Sequence, residues 1–149
     1  MTASPEIRNA SSDDLVEIQA LLQRAALPSE DMASADMQHF VIVRDAHGIL
    51  VGSGGIEHYG KDGLLRSIIV HENARGTGLG KRITMAVEQR ARENGVMALY
   101  LLTTTAADFF PRLGYAPFER DAVPESLKKS AEFASLCPAS AVCMKKDLE

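Results

Sequence analysis

The sequence predicts an α/β fold, a mixed sheet with helices on both faces. Three observations predict it. Strand pairs joined by short turns come early, at 39–44, 49–56 and 64–70. Strands joined through helical segments come later, which calls for crossovers. One of these later strands, Met97 to Leu102, is apolar throughout and reads as a central strand.

Ile7 to Ala10 is a short first strand. Ser11 or Ser12 then caps a helix, with Asp13 and Asp14 in its first turn. Leu15, Ile18, Leu21, Leu22 and Ala25 recur at helical spacing, and Pro28 ends the run. Residues 29–37 are polar, with room for a second short helix. His39 to Arg44 and Ile49 to Ile56 form a hairpin around Asp45-Ala46-His47-Gly48. Gly52, Gly54 and Gly55 in its second strand mark a bulge or a close backbone approach. Tyr59 to Gly63 turns the chain into a strand over Leu64 to Val70. Gly80 to Asn94 is the longest helix, with Ile83, Met85, Ala86, Val87 and Ala91 as its apolar residues and Gly95 as its stop. Thr105 to Leu113 predicts a short helix interrupted by Pro111. Tyr115 to Phe118 and Ala141 to Lys145 are short strands around a long connection, 119–139.

With 149 residues, the chain predicts a single domain over 1–149 with a core of its own. A formal charge of −4 argues against nucleic acid as the main partner. The apolar runs are too short to span a membrane, and the first residues lack the pattern of a signal peptide, so a cytoplasmic enzyme is expected. Cys137 and Cys143 cannot build a disulfide framework. The four histidines show no metal-ligand spacing, and no metal is expected.

The stretch from Leu64 to Arg82 carries the chemistry. An apolar strand leads to a polar turn, then to glycines at 76, 78 and 80, then to a basic helix start. Glycines admit a ligand close to the main chain, and a helix N-terminus supplies unpaired N–H donors, so the segment suits a pyrophosphate. It is not a P-loop, because Lys81 is followed by Arg82 and position 75 is Arg. It is not a dinucleotide fingerprint either, because the spacing is G-x-G-x-G. What remains is R-x-x-G-x-G, filled by Arg75, Gly78 and Gly80.

This segment resembles the acetyl-CoA signature of the GNAT acetyltransferase superfamily. The order of elements from Ile7 to Lys145 resembles that superfamily too. Leu102-Thr103-Thr104-Thr105, Phe109-Phe110 and Leu113-Gly114-Tyr115 are similar to the acetyltransferase domain of N-acetylglutamate synthases. Phe133 to Met144 resembles the small N-acetyltransferases linked to arsenic resistance. The resemblance implies a mostly antiparallel sheet of six to seven strands with a splay between two central ones. It implies an acetyl-CoA-dependent N-acetyltransferase that acts on a small amino-acid-like acceptor by direct attack in a ternary complex. A non-catalytic acyl-CoA sensor, or an acetyltransferase for a polyamine, aminoglycoside or protein N-terminus, is the alternative.

By position, the backbone of Ile68, Ile69 and Val70 would hold the pantetheine arm. Amides of Gly76, Thr77, Gly78, Leu79, Gly80 and Lys81, with Arg75, would hold the pyrophosphate. A strand amide near Ile69 or Val70 would stabilise the oxyanion, a contribution of roughly 2.7–4 kcal/mol in comparable sites. Thr103 would contact the pantetheine, where relatives often have Asn. Phe110 falls where many relatives carry a Tyr that protonates the leaving thiolate. That leaves a water, Tyr115, or no acid at all.

Amine acetylation needs a neutral amine, and Glu57, at the end of the glycine-interrupted strand, is the candidate base. An acceptor carboxylate calls for an arginine. Arg8, Arg44, Arg66 and Arg112 are available, and Arg66 on the cofactor strand is favoured. Cys137, in the late connection, is a second candidate contact for the acceptor. A homodimer would cover an exposed sheet edge at the C-terminal strand.

Overall fold

The computed structural model describes residues 6–25, 39–74, 76–104, 106–130, 133 and 140–148. The expected helix within 29–37 lies outside them. Seven strands form one mixed, mostly antiparallel sheet: β1 (Ile7–Asn9), β2 (Phe40–Arg44), β3 (Leu50–Tyr59), β4 (Asp62–Val70), β5 (Ala98–Thr103), β6 (Ala116–Pro117) and β7 (Val142–Asp147). Their order is β1-β2-β3-β4-β5-β7-β6, so β5 is interior, as its apolar sequence requires. The helices are α1 (Leu15–Arg24), α2 (Leu79–Glu93) and α3 (Glu125–Lys128). The chain divides into two compact units, Met1–Ile56 with Ser67–Arg90, and Glu57–Arg66 with Ala91–Glu149. Strands β3 and β4 run through both.

In the first unit, β1 and β3 both pair antiparallel with β2. The Asp45 carboxylate accepts the His47 and Ile49 amides and closes the turn between β2 and β3. Asp14 accepts the Ser11 amide at 2.8 Å and starts α1. The predicted stripe of α1 then buries Ile18, Leu21 and Leu22 against Phe40, Ile42, Leu50 and Ile69. Helix α2 packs on the opposite face of β3. There a side chain at Gly52 or Gly54 would come within 2.7 Å of Ile83. At Gly55, on the α1 side, it would enter the Phe40 ring. The three glycines are therefore close approaches, one helix on each face. Met85 is 53% exposed, unlike Ile83 and Val87, because it lies off their helical stripe.

The second unit begins where β3 turns into β4. The turn is two residues, Gly60 at φ +69° and Lys61, so both strands are longer than the sequence predicts. Asp62–Leu64 pair in parallel with Ala98–Tyr100, and the ladder ends there while β5 continues to Thr103. On its other side β5 pairs with β7 over six residues. Leu64, Tyr100, Val123, Leu127, Phe133 and Cys143 form the core of this unit. The helix expected over 105–113 is only a 3-10 turn, Phe110–Leu113, with Pro111 in its first positions and Gly114 at φ +98° ending it. Proline has no amide to extend a helix, and a left-handed glycine stops one.

Candidate active site

The glycine turn belongs to the first unit. Strand β4 ends as the His71 amide donates to the Val51 carbonyl at 2.7 Å. A single 3-10 turn, Glu72–Ala74, follows. The Thr77 hydroxyl donates to the Ala74 carbonyl at 2.6 Å and fixes the loop from inside. Gly76 and Gly78 stand at φ +81° and +78°, and a Cβ on either would meet nothing within 4 Å. Their main chain is bare toward the surroundings. The first bond of α2 runs from the Arg82 amide to the Gly78 carbonyl. The amides of Leu79, Gly80 and Lys81 therefore precede the helical ladder, at the positive end of the helix. Leu79 is buried and anchors this end. The donor set fits a pyrophosphate: main-chain N–H groups, a helix terminus and no acidic side chain between 76 and 81. Arg75 lies outside the described residues.

Ile68, Ile69 and Val70 close β4. The Ile68 side chain lies over Gly54 beside α2, and Ile69 packs in the α1 core. What this segment can offer a ligand is therefore its backbone. A cavity of about 140 Å³ runs along it, between the end of α1 (Leu21, Arg24) and Ile69 to Glu72.

Just before this segment the strand is kinked. Ser67 has φ +59°, the one non-glycine residue with positive φ among those described. That conformation costs about 1–2 kcal/mol for a residue with a Cβ. The fully buried Ser53 hydroxyl donates to the Ser67 carbonyl at 2.9 Å. No pattern in the sequence signals this kink. A serine in an apolar run is compatible with a regular strand.

The side-chain chemistry lies in the second unit. The Arg66 guanidinium, whose side chain is fully buried, donates to Glu57 Oε2 at 2.8 Å. The Tyr59 hydroxyl donates to Glu57 Oε1 at 2.6 Å. Each oxygen of the carboxylate thus has its own donor, and the Glu57 side chain keeps 23% of its surface exposed. Burial, then the Glu57 acceptor, pushes the Tyr59 phenol well above its ordinary range, so it acts as a proton-bearing donor. A buried guanidinium is tolerable only with such a partner. Sequence placed Glu57 and Arg66 in one site but in separate roles; the structure joins them as an ion pair. It missed Tyr59, because the turn was expected to begin there. With β3 running to Tyr59, positions 57 and 59 share a face.

The Thr103 hydroxyl oxygen accepts the Ala106 amide at 2.9 Å and secures the turn after β5. Phe110 is buried, its ring edge-on to Phe109 and Tyr115. The Tyr115 ring is 2% exposed between Phe110 and the Lys146 ammonium. Arg44 is committed elsewhere: it binds Asp14, Glu17 and the Gly48 carbonyl on the far side of the first unit. Arg8 and Arg112 are exposed. Cys137 lies outside the described residues. Burial pushes the Cys143 thiol up to about 11, which keeps it protonated and unreactive. No cluster able to hold a metal ion occurs among the described residues, and none of their helices is long and apolar enough to cross a membrane.

Known proteins resemble the chain in sequence and in fold. A model of the acetyltransferase (GNAT) domain matches residues 35–117, more than half of the chain. An amino-acid acetyltransferase of Ralstonia nicotianae is 29% identical over 131 residues, 83% of this chain and 29% of the relative. One from Escherichia coli K12 is 25% identical, over 87% of this chain and 31% of the relative. The chain thus spans less than a third of the length of these curated relatives. Among solved structures, N-acetylglutamate synthase from Neisseria gonorrhoeae, complexed with coenzyme A and N-acetyl-glutamate, superposes with a TM-score of 0.83 at 22% identity, over 100% of this chain and 36% of that one. Rv2747 from Mycobacterium tuberculosis, in complex with CoA and NLQ, gives 0.81 at 23% identity, over 97% of this chain and 100% of that one. The family model, the order of strands and the glycine turn agree, and the chain belongs to the GNAT acetyltransferase family.

Proposed function

We propose that this GNAT enzyme uses acetyl-CoA to acetylate the α-amine of a small amino acid. The observation that carries the reading is the Glu57 carboxylate, oriented by Arg66 and Tyr59 just past the end of the β4–β5 ladder. The curated relatives, named as amino-acid acetyltransferases, support the acceptor class. The neighbouring structures solved with coenzyme A support the donor.

Acetyl-CoA supplies an activated acetyl group. The amides of Gly76 to Lys81, with Arg75, hold its pyrophosphate. The backbone of Ile68 to Val70 and the Thr103 hydroxyl hold the arm. Glu57 accepts the proton of the acceptor ammonium, directly or through a water, because only the neutral amine has a lone pair for the direct attack in a ternary complex. Phe110 has no proton to give. Either a water protonates the leaving thiolate or it departs without an acid, since a thiolate is a tolerable leaving group near neutral pH; Tyr115 is buried against Phe110. Arg66 stays the proposed partner of the acceptor carboxylate on its place beside Glu57. Cys137 stays a candidate contact. The arsenic-resistance link rests on the resemblance of 133–144 alone.

The experiment is thiol release from acetyl-CoA with a panel of amino acids, polyamines, aminoglycosides and N-terminal peptides. Turnover with an α-amino acid in preference to the others is expected. CoA binding with no release for any acceptor would instead identify a sensor.

A further inference from the structure

We infer that Ser53 is a positioning residue for acyl transfer: by holding the Ser67 carbonyl, its hydroxyl aims the Ile68 amide at the acetyl carbonyl of bound acyl-CoA. This rests on the acetyl-CoA reading above. The argument is geometric. The peptide joining Ser67 to Ile68 is planar and trans, so its N–H points opposite to its C=O. The C=O is fixed by the Ser53 hydroxyl at 2.9 Å. The Ile68 N–H therefore points away from Ser53. Ser67 itself stands at φ +59°, which turns this one peptide relative to its neighbours in β4. A left-handed serine persists only where its surroundings over-determine it, and such outliers cluster at functional sites.

The surroundings of Ser53 suit that task. It is completely buried, its neighbours Gly52 and Gly54 carry no side chain, and its hydroxyl reaches the kink in the adjacent strand. The kink lies immediately before Ile68–Val70, the segment read as the cofactor-binding backbone. A preorganised amide next to a developing negative charge is a strong catalytic device, and a small error in its direction is costly. The donor singled out is Ile68, one or two residues earlier than the Ile69 or Val70 amide that the family resemblance implies.

The test uses the full ¹⁵N-labelled chain and two ligands, acetyl-CoA and CoA, which differ only by the acetyl group. In the wild type the Ile68 amide proton shifts with acetyl-CoA relative to CoA. In Ser53→Ala that difference is lost, and kcat falls about tenfold while CoA affinity stays within about twofold. Adding Ser67→Gly, which adopts positive φ without strain, recovers most of kcat. The same Ile68 response in Ser53→Ala as in wild type overturns the inference, as does a wild-type Ile68 blind to the acetyl group. A wild type that responds at Ile68, loses the response in Ser53→Ala and turns over no acceptor keeps the aiming of the Ile68 amide by Ser53 but sinks the transfer reading, and with it the catalytic role of Ser53. Failure to bind CoA overturns both.

Discussion

In the first unit, the glycine turn and the strand before it offer a ligand main-chain atoms: the Ile68 to Val70 strand, two left-handed glycines and the first amides of α2. In the other unit the groups are side chains: a carboxylate, a buried guanidinium and a phenol, each bonded to the carboxylate or through it. The first arrangement depends on where backbone goes and tolerates many side chains around it. The second depends on three residue types at once. A cradle of amides suits a ligand shared by many enzymes, whereas a side-chain cluster can be adapted to one acceptor.

The largest effect that would break this contrast is in the side-chain unit. Glu57→Gln is expected to lower kcat roughly 100-fold with CoA affinity unchanged, read by thiol release and by calorimetry. Unchanged turnover would remove Glu57 as the base. In the backbone unit the corresponding loss is one of stability. A methyl at Gly55 enters the Phe40 ring, so Gly55→Ala should cost about 2 kcal/mol, measured as a lowered urea midpoint. Next comes the cradle itself. Gly78→Glu adds negative charge and strain at φ +78°, and should weaken CoA binding on the order of tenfold, while thermal melting moves by only a few degrees.

The smallest effect concerns Arg44, which touches neither chemistry. For Asp14, burial pushes the carboxyl up, but the Ser11 amide and Arg44 together hold it below its ordinary value. The Arg44 guanidinium holds Glu17 below its own. Both folded carboxyls are thus more acidic than their unfolded counterparts, so their stabilisation is full above the unfolded values and is lost as pH falls through the folded ones. Arg44→Met should cost about 1 kcal/mol at pH 7, progressively less below about pH 4, and leave kcat untouched. Urea unfolding at the two pH values checks it.

The glycine turn was legible because its parts are consecutive. Strand, turn, glycines and helix start within about 20 residues needed no tertiary information. Glu57 was legible as a carboxylate at a strand end, and Arg66 as a cation on the next strand. Their bond was not, because it depends on a two-residue turn that brings positions nine apart into contact. Placing the turn at Tyr59 hid the third member. The close approach marked by Gly52, Gly54 and Gly55 was visible, but not that two face α2 and one faces Phe40. The kink at Ser67 had no sequence signal, since the hydroxyl bonded to it sits 14 positions away on the neighbouring strand. The helix expected over 105–113 failed on Pro111, which confined it to a single turn.

The bare positions on β3 have a mechanical consequence. With no side chain at 52 or 54, Ile83 of α2 rests close on the strand backbone, and over Gly54 the Ile68 side chain shares that narrow gap. The spacing acts as a hard stop rather than a cushion. A single methyl added at 52 or 54 would press on Ile83, and through it on the helix whose first amides form the cradle.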